Sequence, residues 1–415
     1  MPAMATAPAP DTSADARQQR RASRPRRIRA GLLCLLVGFA LWLPALRLFV
    51  PVDARPVFAA TGISDFARQL AARHLHLWHD PASRDRELSR MRGSNAEWDF
   101  MGRTWLVLSL MNMALREPGL APEALAITDR ILAETLRLID AHGFYHFSMS
   151  YARHRPYVVQ PARSLFVDGE VVLMIAARRL VAEAPQWQAP MRERVDAIAE
   201  RMANAPRRSA ESYPDECWTF DNANALAALR MADALDGSDH RALCRAWVAM
   251  ARQYLVEPQT GLLISRYRHT GQWMDGPEGS SLWMVAHALQ LVDPAFARDQ
   301  YQRSCRELRR QFLGFDLARE WPVAVRGHED IDSGFVVPGF DAGTASSGLA
   351  PLAARAFGDL DFYTGLMRSL ELAAFPLRRD GALHYQASNQ VGDAMLLYST
   401  VVGPLWAEVE RRSWR

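Results

Sequence analysis

The sequence predicts an all-α fold, an (α/α)6 toroid built as a barrel of six helix hairpins, preceded by one N-terminal transmembrane helix. After Pro51, apolar residues recur at three- and four-residue spacing, which is the spacing of one helix face. Short connections such as LDGSDH and FGDLDF alternate with much longer loops, and short connections join antiparallel helices. The competing α-solenoid would show a fixed sequence period, and we find none.

The N-terminal segment indicates a membrane anchor. The apolar stretch from Gly31 to Val50 has about the 20 residues that a helix needs to cross a bilayer. Seven arginines precede it and favour a cytoplasmic N-terminus, namely Arg17, Arg20, Arg21, Arg24, Arg26, Arg27 and Arg29. We therefore expect a single-pass protein of a bacterial inner membrane, with a cytoplasmic tail at 1–29, a signal anchor at 30–51 and a periplasmic soluble domain.

A cleavable signal peptide is the alternative interpretation of this segment. Such a peptide has a shorter apolar region, of about 7–15 residues, and a small-residue cleavage site close behind it. The nearest small-residue pattern here is 57–59, which lies beyond Arg47, Pro51 and Arg55. We favour the uncleaved anchor.

Composition excludes several classes of function. The formal net charge is +3, of which residues 1–29 contribute +5 and the remaining chain −2. A domain with that balance lacks the basic surface of a nucleic-acid-binding protein, so we expect no nucleic-acid partner. The four cysteines form no disulfide framework or zinc-type spacing, and no phosphate- or dinucleotide-binding glycine pattern occurs. We expect neither a cofactor nor a metal.

Turn-rich segments containing Gly, Pro and Asp separate twelve predicted helices of the toroid domain, which is expected to span 58–410. The helices are predicted at 62–78, 97–116, 122–141, 168–184, 189–204, 222–236, 239–255, 279–291, 294–312, 344–357, 359–373 and 392–410. In a toroid the long loops gather on one face, and each leads into the start of an inner helix. Polar residues at those starts are therefore candidates for one shared site.

Several of these starts carry acids or amides: Glu97, Asp99, Asp168, Glu170, Asp221, Asn222, Asn224, Glu278 and Asp393. Any of the short polar residues among them would also serve as a helix cap. Capping explains Asp99 and Glu170 less well, because both lie inside their helices. An acid such as Glu170, at the head of a very apolar helix, needs a partner or a chemical task.

The segment SYPDECWTFDNANAL, residues 212–226, is the richest in chemistry. Tyr213, Asp215, Glu216 and Asp221 lie within nine residues, just ahead of a predicted inner helix. Paired carboxylates in a concave site let one acid stay protonated while the other acts as a base. The alternative is that Tyr-Pro-Asp forms a turn and Asp221 caps the helix.

Three further segments are less specific. The loop 319–348 holds His328, Asp330 and Asp332 and is predicted to line the cavity mouth, with calcium binding as an alternative. The histidines of HLHLWHD at 74–80 are interpreted as a surface cluster rather than a metal site. The aromatic loop 142–157 suits a sugar, an apolar ligand or another subunit.

NAEWDFMGRTWLVLSL, FVDGEVVLMIAARRL and YPDECWTFDNANALAALRMAD together resemble the linalool dehydratase/isomerase domain family, over most of residues 62–405. The resemblance implies an α/α toroid that acts on a terpene alcohol without a redox cofactor. It places the family's active-site histidine at Glu170, its two active-site cysteines at Ser212 and Asp221, and an acid of the first inner helix at Asp99. The spacing is kept, but carboxylates replace thiol and imidazole chemistry.

We therefore expect a membrane-anchored periplasmic lyase or isomerase that dehydrates or isomerises a small, terpenoid-like substrate by acid/base chemistry. Glu170 and Asp221 are predicted as acid and base, with Tyr213, Asp215 and Asp99 assisting. Two alternatives stay open: a carbohydrate-active hydrolase or lyase of the cell envelope that uses a carboxylate pair on a glycan, and a non-catalytic envelope-binding or scaffold toroid. The sequence leaves open whether the protein is a homo-oligomer.

Overall fold

The computed structural model describes residues 12–328, 334–339 and 341–413, with side chains from residue 28 onward. These residues are mostly helical, as the sequence predicts. They divide into two compact units, one ending at Pro51 and the other beginning at Val52.

The first unit is a single long helix, α1 (Thr12–Phe49). Its part from Ile28 to Phe49 is 22 residues long and exposed, and it is the one helix of the described chain that is long and apolar enough to cross a membrane. A signal sequence near an N-terminus has the same properties. Length and composition therefore support a membrane segment.

The second unit contains fourteen α-helices and nine short strands among its described residues. The helices are α2 (Asp65–His79), α3 (Pro81–Ser94), α4 (Ala96–Arg116), α5 (Ala121–His142), α6 (Leu165–Val181), α7 (Gln188–Asn204), α8 (Thr219–Asp236), α9 (Arg241–Tyr254), α10 (Gly279–Leu289), α11 (Pro294–Leu308), α12 (Thr344–Ala356), α13 (Leu360–Ala373), α14 (Gln390–Val401) and α15 (Pro404–Ser413).

All the strand pairs are antiparallel and lie between helices. One three-stranded sheet has the order β1 (Cys217–Trp218), β2 (Arg266–Tyr267) and β3 (Trp273–Asp275). The hairpins are β4 (Arg309–Phe312) with β5 (Phe315–Ala318), β6 (Val336–Val337) with β7 (Ala342–Gly343), and β8 (Pro376–Arg379) with β9 (Ala382–Tyr385). These strands replace much of what the sequence analysis treated as loop.

Two predicted helices are wrong in their extent. The helix predicted at 294–312 ends at Leu308, because Leu313 and Gly314 both have positive φ and form the turn of the β4–β5 hairpin. The helix predicted at 392–410 is two helices, since Gly403 has φ +128° and Pro404 begins α15.

Helix α3 was not predicted, and capping explains it. Asp80 ends α2, and its side chain also accepts from the backbone N–H groups of Ala82 and Ser83 at the start of α3. Pro81 occupies the first position of α3, where its missing N–H costs nothing. One acid thus separates two helices without a loop between them.

Six helices form a closed series of contacts: α4 with α6, α6 with α8, α8 with α10, α10 with α12, α12 with α14, and α14 with α4. Further helices pack against these six, as α5 does on α4 and α6, α13 on α12, and α15 on α4, α6 and α8. In α6 every residue from Leu165 to Leu180 is buried. Polar groups at the start of such a helix lie in dry surroundings.

Helices α6 and α8 are in close contact where Gly169 faces Ala225. A Cβ at Gly169 would lie 3.4 Å from the Cβ of Ala225 on α8. Glu170 follows Gly169 in the second turn of α6, and Asp221 lies in the first turn of α8.

Candidate active site

A cavity of about 840 Å³ lies within the second unit. Its wall is largely aromatic and aliphatic, and includes Trp98, Met101, Trp105, Phe166, Trp218, Phe220, Met284, Val391 and Leu396. Four acids also line it, namely Glu97, Asp221, Asp316 and Asp393. An apolar pocket of this size with a few polar groups is typical of a small-molecule site.

Tyr213 lies on the cavity wall and holds Glu97. Its hydroxyl donates to the Glu97 carboxylate and accepts from the backbone N–H of Met149 at 2.9 Å. The ring stacks on Tyr151, with 4.7 Å between the ring centroids. Burial, together with the charge of Glu97, raises the pKa of Tyr213 well above its usual value, so the phenol stays protonated and donates.

Glu170 is a buried acid with unused hydrogen-bonding capacity. Its side chain is 1% exposed, and neither carboxyl oxygen has a hydrogen-bond partner among the described residues. Burial raises the pKa of Glu170 to about 8, the charge of Asp221 adds to this rise, and the nearby Thr104 hydroxyl opposes it. Glu170 therefore holds its proton near neutral pH, although it lies just behind the residues that line the cavity.

Asp221 is the member of this pair that lines the cavity. It is 7% exposed and lies in the first turn of α8, where the helix N-terminus favours a negative charge. Trp218, not Asp221, occupies the N-cap position of α8. The pair thus combines a protonated carboxyl with a second carboxyl at the wall, an arrangement that is capable of proton transfer.

The structure places Asp99 elsewhere. Asp99 is fully buried, and its carboxylate pairs with Arg103 at 2.8 Å and with Arg92 at 2.7 Å. Arg103 in turn contacts Glu134 at 2.9 Å. Asp99 is outside the set of described residues that line the cavity. Its expected place beside Glu170 and Asp221 is therefore corrected to a buried ion-pair network.

Asp215 also lies away from the cavity wall as the described chain forms it. Its carboxylate pairs with Arg268 and accepts from the backbone N–H of His269, while its own N–H donates to Glu211 at 2.7 Å. Its φ of +58° belongs to a tight turn. These contacts and the turn agree with the alternative interpretation, in which Tyr-Pro-Asp forms a turn.

The other candidate positions are buried structural groups. Ser212 is fully buried, and its carbonyl accepts from the hydroxyls of Tyr157 and Ser164. Glu216 pairs with Arg155 at 2.7 Å and with Arg266 at 3.1 Å. The tertiary contacts of the 212–226 segment thus separate its acids into one at the cavity and two in ion pairs.

The remaining segments differ in outcome. His74 is fully buried and burial lowers its pKa to about 3, so the predicted surface cluster at 74–80 keeps only the exposed His76 and His79. Of the loop acids, Asp330 and Asp332 lie outside the described residues. Met149 and Tyr151 of the aromatic loop line the cavity.

The sequence analysis named Glu97 only as a helix start, yet helical phase distinguishes it from Asp99. Residues Glu97, Met101 and Trp105 are four apart, share one face of α4 and line the cavity. Asp99 and Arg103, also four apart, share another face and pair with each other. In the sequence, the four-residue spacing of Glu97 from the apolar Met101 and Trp105 indicates that the three residues share one helix face.

A family model described as linalool dehydratase/isomerase matches residues 179–391, just over half of the chain. The chain belongs to this family. The match includes the segment with Ser212, Tyr213 and Asp221, helices α8, α10 and α12, and the three hairpins from β4 to β9, whereas Glu97 and Glu170 lie before it. Membership supports a lyase or isomerase of the hydro-lyase type.

Proposed function

We propose that this member of the linalool dehydratase/isomerase family dehydrates or isomerises a small, terpenoid-like alcohol in the described cavity, without a cofactor. The observation that carries this proposal is the pair formed by Glu170 and Asp221 beside an apolar cavity. One carboxyl keeps its proton near neutral pH, and the other contacts the space where a substrate fits. Acid/base chemistry on an apolar alcohol needs both features.

The proposed sequence of proton transfers uses three carboxyls. The Glu170–Asp221 pair protonates the substrate hydroxyl through Asp221, the C–O bond breaks, and water leaves. A carboxylate at the wall then takes a proton from the adjacent carbon to give the alkene. In isomerisation, water adds at another carbon and the same carboxylate takes the extra proton from its oxygen to give the isomeric alcohol. Return of that proton to the Glu170–Asp221 pair completes the cycle. Glu97, held by Tyr213, is our candidate for that carboxylate.

The proposal keeps only a supporting role for Asp99 and Asp215. Both carboxylates are paired with arginine, and such a pair favours the ionised carboxylate and makes it a poor proton donor or acceptor. Asp99 fixes the start of α4, on which Glu97 lies, and Asp215 fixes the turn that follows Tyr213. Each would therefore act through the residue that it positions.

We also propose that the second unit is an (α/α)6 toroid and that α1 anchors it in a bacterial inner membrane, with the enzyme in the periplasm. The closed order of contacts from α4 through α14 back to α4 supports the toroid. The exposed apolar segment Ile28–Phe49, with arginines before it, supports the anchor and its direction. The predominantly apolar wall favours a terpenoid over a glycan, whose hydroxyls need many polar partners.

Turnover of linalool and related monoterpene alcohols tests the proposal. Purified full-length protein in detergent is incubated with each alcohol, and alkenes and isomeric alcohols are followed by headspace gas chromatography. Asp221→Asn and Glu170→Gln should each lower the rate by about 10²–10⁴-fold. Asp380→Asn is the matched control, because Asp380 is an exposed carboxylate, and it should keep full activity. Full activity of Asp221→Asn would refute the carboxylate mechanism.

A further inference from the structure

We propose that the cavity contains a second polar subsite, formed by Asp393, that binds a second hydroxyl group of the substrate. The preferred substrate is then a diol with an apolar middle section, not a mono-alcohol. This inference rests on the proposed function only in taking the cavity as the substrate site.

Asp393 is a buried acid on the cavity wall whose hydrogen bonding is incomplete. It lies in the first turn of α14 and is 1% exposed. Neither of its carboxyl oxygens has a hydrogen-bond partner within the described chain. Buried carboxyls normally have such partners, and their lack suggests a ligand group that completes the site.

Arg73, the cation next to Asp393, only partly offsets the burial of the Asp393 carboxylate. Arg73 Nε lies 3.3 Å from Asp393 Oδ2, but the same guanidinium is also bound to Glu87 at 2.7 Å. Burial raises the pKa of Asp393 to about 7, and Arg73, the backbone of Tyr385 and the Ser388 side chain only partly oppose the rise. A hydroxyl group from a ligand would supply the missing contact without adding a charge.

Other polar groups at this part of the wall are already used. The Asn389 side chain caps α14 by accepting from the backbone N–H of Gly392 at 3.0 Å. The Tyr385 hydroxyl donates to Glu371 at 2.5 Å. Asp393 therefore stands out among these lining residues as the group with free hydrogen-bonding capacity.

The two polar subsites lie on different helices of a cavity whose wall is otherwise mostly apolar. Asp221 lies on α8, which packs against α6 and α10, whereas Asp393 lies on α14, which packs against α12 and α4. Met101, Met284 and Leu396 are among the apolar residues of the same wall. A ligand that contacts both acids therefore needs a polar group at each end.

Binding of octane-1,8-diol and of 1-octanol tests this inference without any turnover. Full-length protein in detergent is titrated with each compound, and the fluorescence of the tryptophans in the cavity wall reports binding. The quantity measured is the ratio of the two dissociation constants within one variant. Comparing this ratio between variants cancels the partition of each alcohol into the detergent.

Two substitutions separate hydroxyl binding from a purely structural ion pair. Asp393→Leu and Asp393→Asn both remove the charge that faces Arg73, but only asparagine can still bond a hydroxyl. We expect the preference for the diol to fall at least tenfold in Asp393→Leu and to stay within about threefold of wild type in Asp393→Asn. Asp393→Ala replaces the leucine variant if that variant does not fold. Met395→Leu changes the apolar wall alone and should leave the ratio unchanged.

An equal ratio in wild type and Asp393→Leu would overturn the inference, as would an equal loss in the leucine and asparagine variants. Failure of the proposed function is a separate result. A protein that turns over mono-alcohols but has no diol preference keeps the function and loses the subsite. If wild type and Glu170→Gln both prefer the diol, but wild type turns over no alcohol, the subsite is supported and the proposed function is refuted.

Discussion

Replacing Glu170 by glutamine should change how the stability of the protein depends on pH. In the folded protein the pKa of Glu170 is about 8, against an ordinary value of 4.5 in an unfolded chain. Between these two values the unfolded chain releases the proton while the folded protein retains it. Ionisation therefore stabilises the unfolded state increasingly as pH rises through this window.

The size of the effect follows from the same two values. They differ by about 3.5, and each pKa unit corresponds to about 1.4 kcal/mol, so wild type loses up to about 5 kcal/mol of unfolding free energy between pH 4.5 and 8 through this one carboxyl. Glu170→Gln cannot ionise and lacks this loss. The stability of the variant relative to wild type should therefore rise with pH and level off above pH 8.

Equilibrium unfolding of full-length protein in guanidinium chloride, followed by tryptophan fluorescence at several pH values, measures this difference. All other titrating groups are common to both proteins and cancel in the comparison. Glu200→Gln, at an exposed position on α7, is the control and should give a curve parallel to wild type. A difference between Glu170→Gln and wild type that stays constant from pH 4.5 to 8.5 would refute our account of Glu170.

Three other outcomes follow from the described contacts. Asp99→Asn should destabilise the protein by about 3–5 kcal/mol in chemical unfolding, because it leaves the buried Arg103 guanidinium poorly paired. Tyr213→Phe removes the hydroxyl that holds Glu97 and accepts from the Met149 N–H, so kcat should fall by about tenfold or more while the melting temperature falls by only a few degrees, and an unchanged kcat would remove Tyr213 from the site. Alkaline carbonate extraction should leave the protein in the membrane fraction with Ile28–Phe49 intact by N-terminal sequencing, whereas a soluble product that begins near Ala60 would contradict the anchor.

The sequence was sufficient to locate the elements that depend on local patterns. Three- and four-residue apolar spacing predicted most helices of the second unit to within a few residues, and the long apolar run predicted α1. Local patterns did not predict α3, because Asp80 is both the C-cap of α2 and the N-cap of α3 and no loop separates the two helices. They also failed where a positive φ redirects the chain, as at Leu313 and Gly403.

Sequence patterns also predicted Glu170, Tyr213 and Asp221 as site residues, because polar side chains within or just before the start of an apolar helix are unusual. Only the tertiary structure decided which acids face the cavity. Asp215 pairs with Arg268, and Glu216 pairs with Arg155, in both cases across more than fifty residues of sequence. Asp99 pairs with Arg103 instead of lining the cavity. Helical periodicity is a local property of the chain, whereas ion pairing and burial depend on which distant segments the fold brings together.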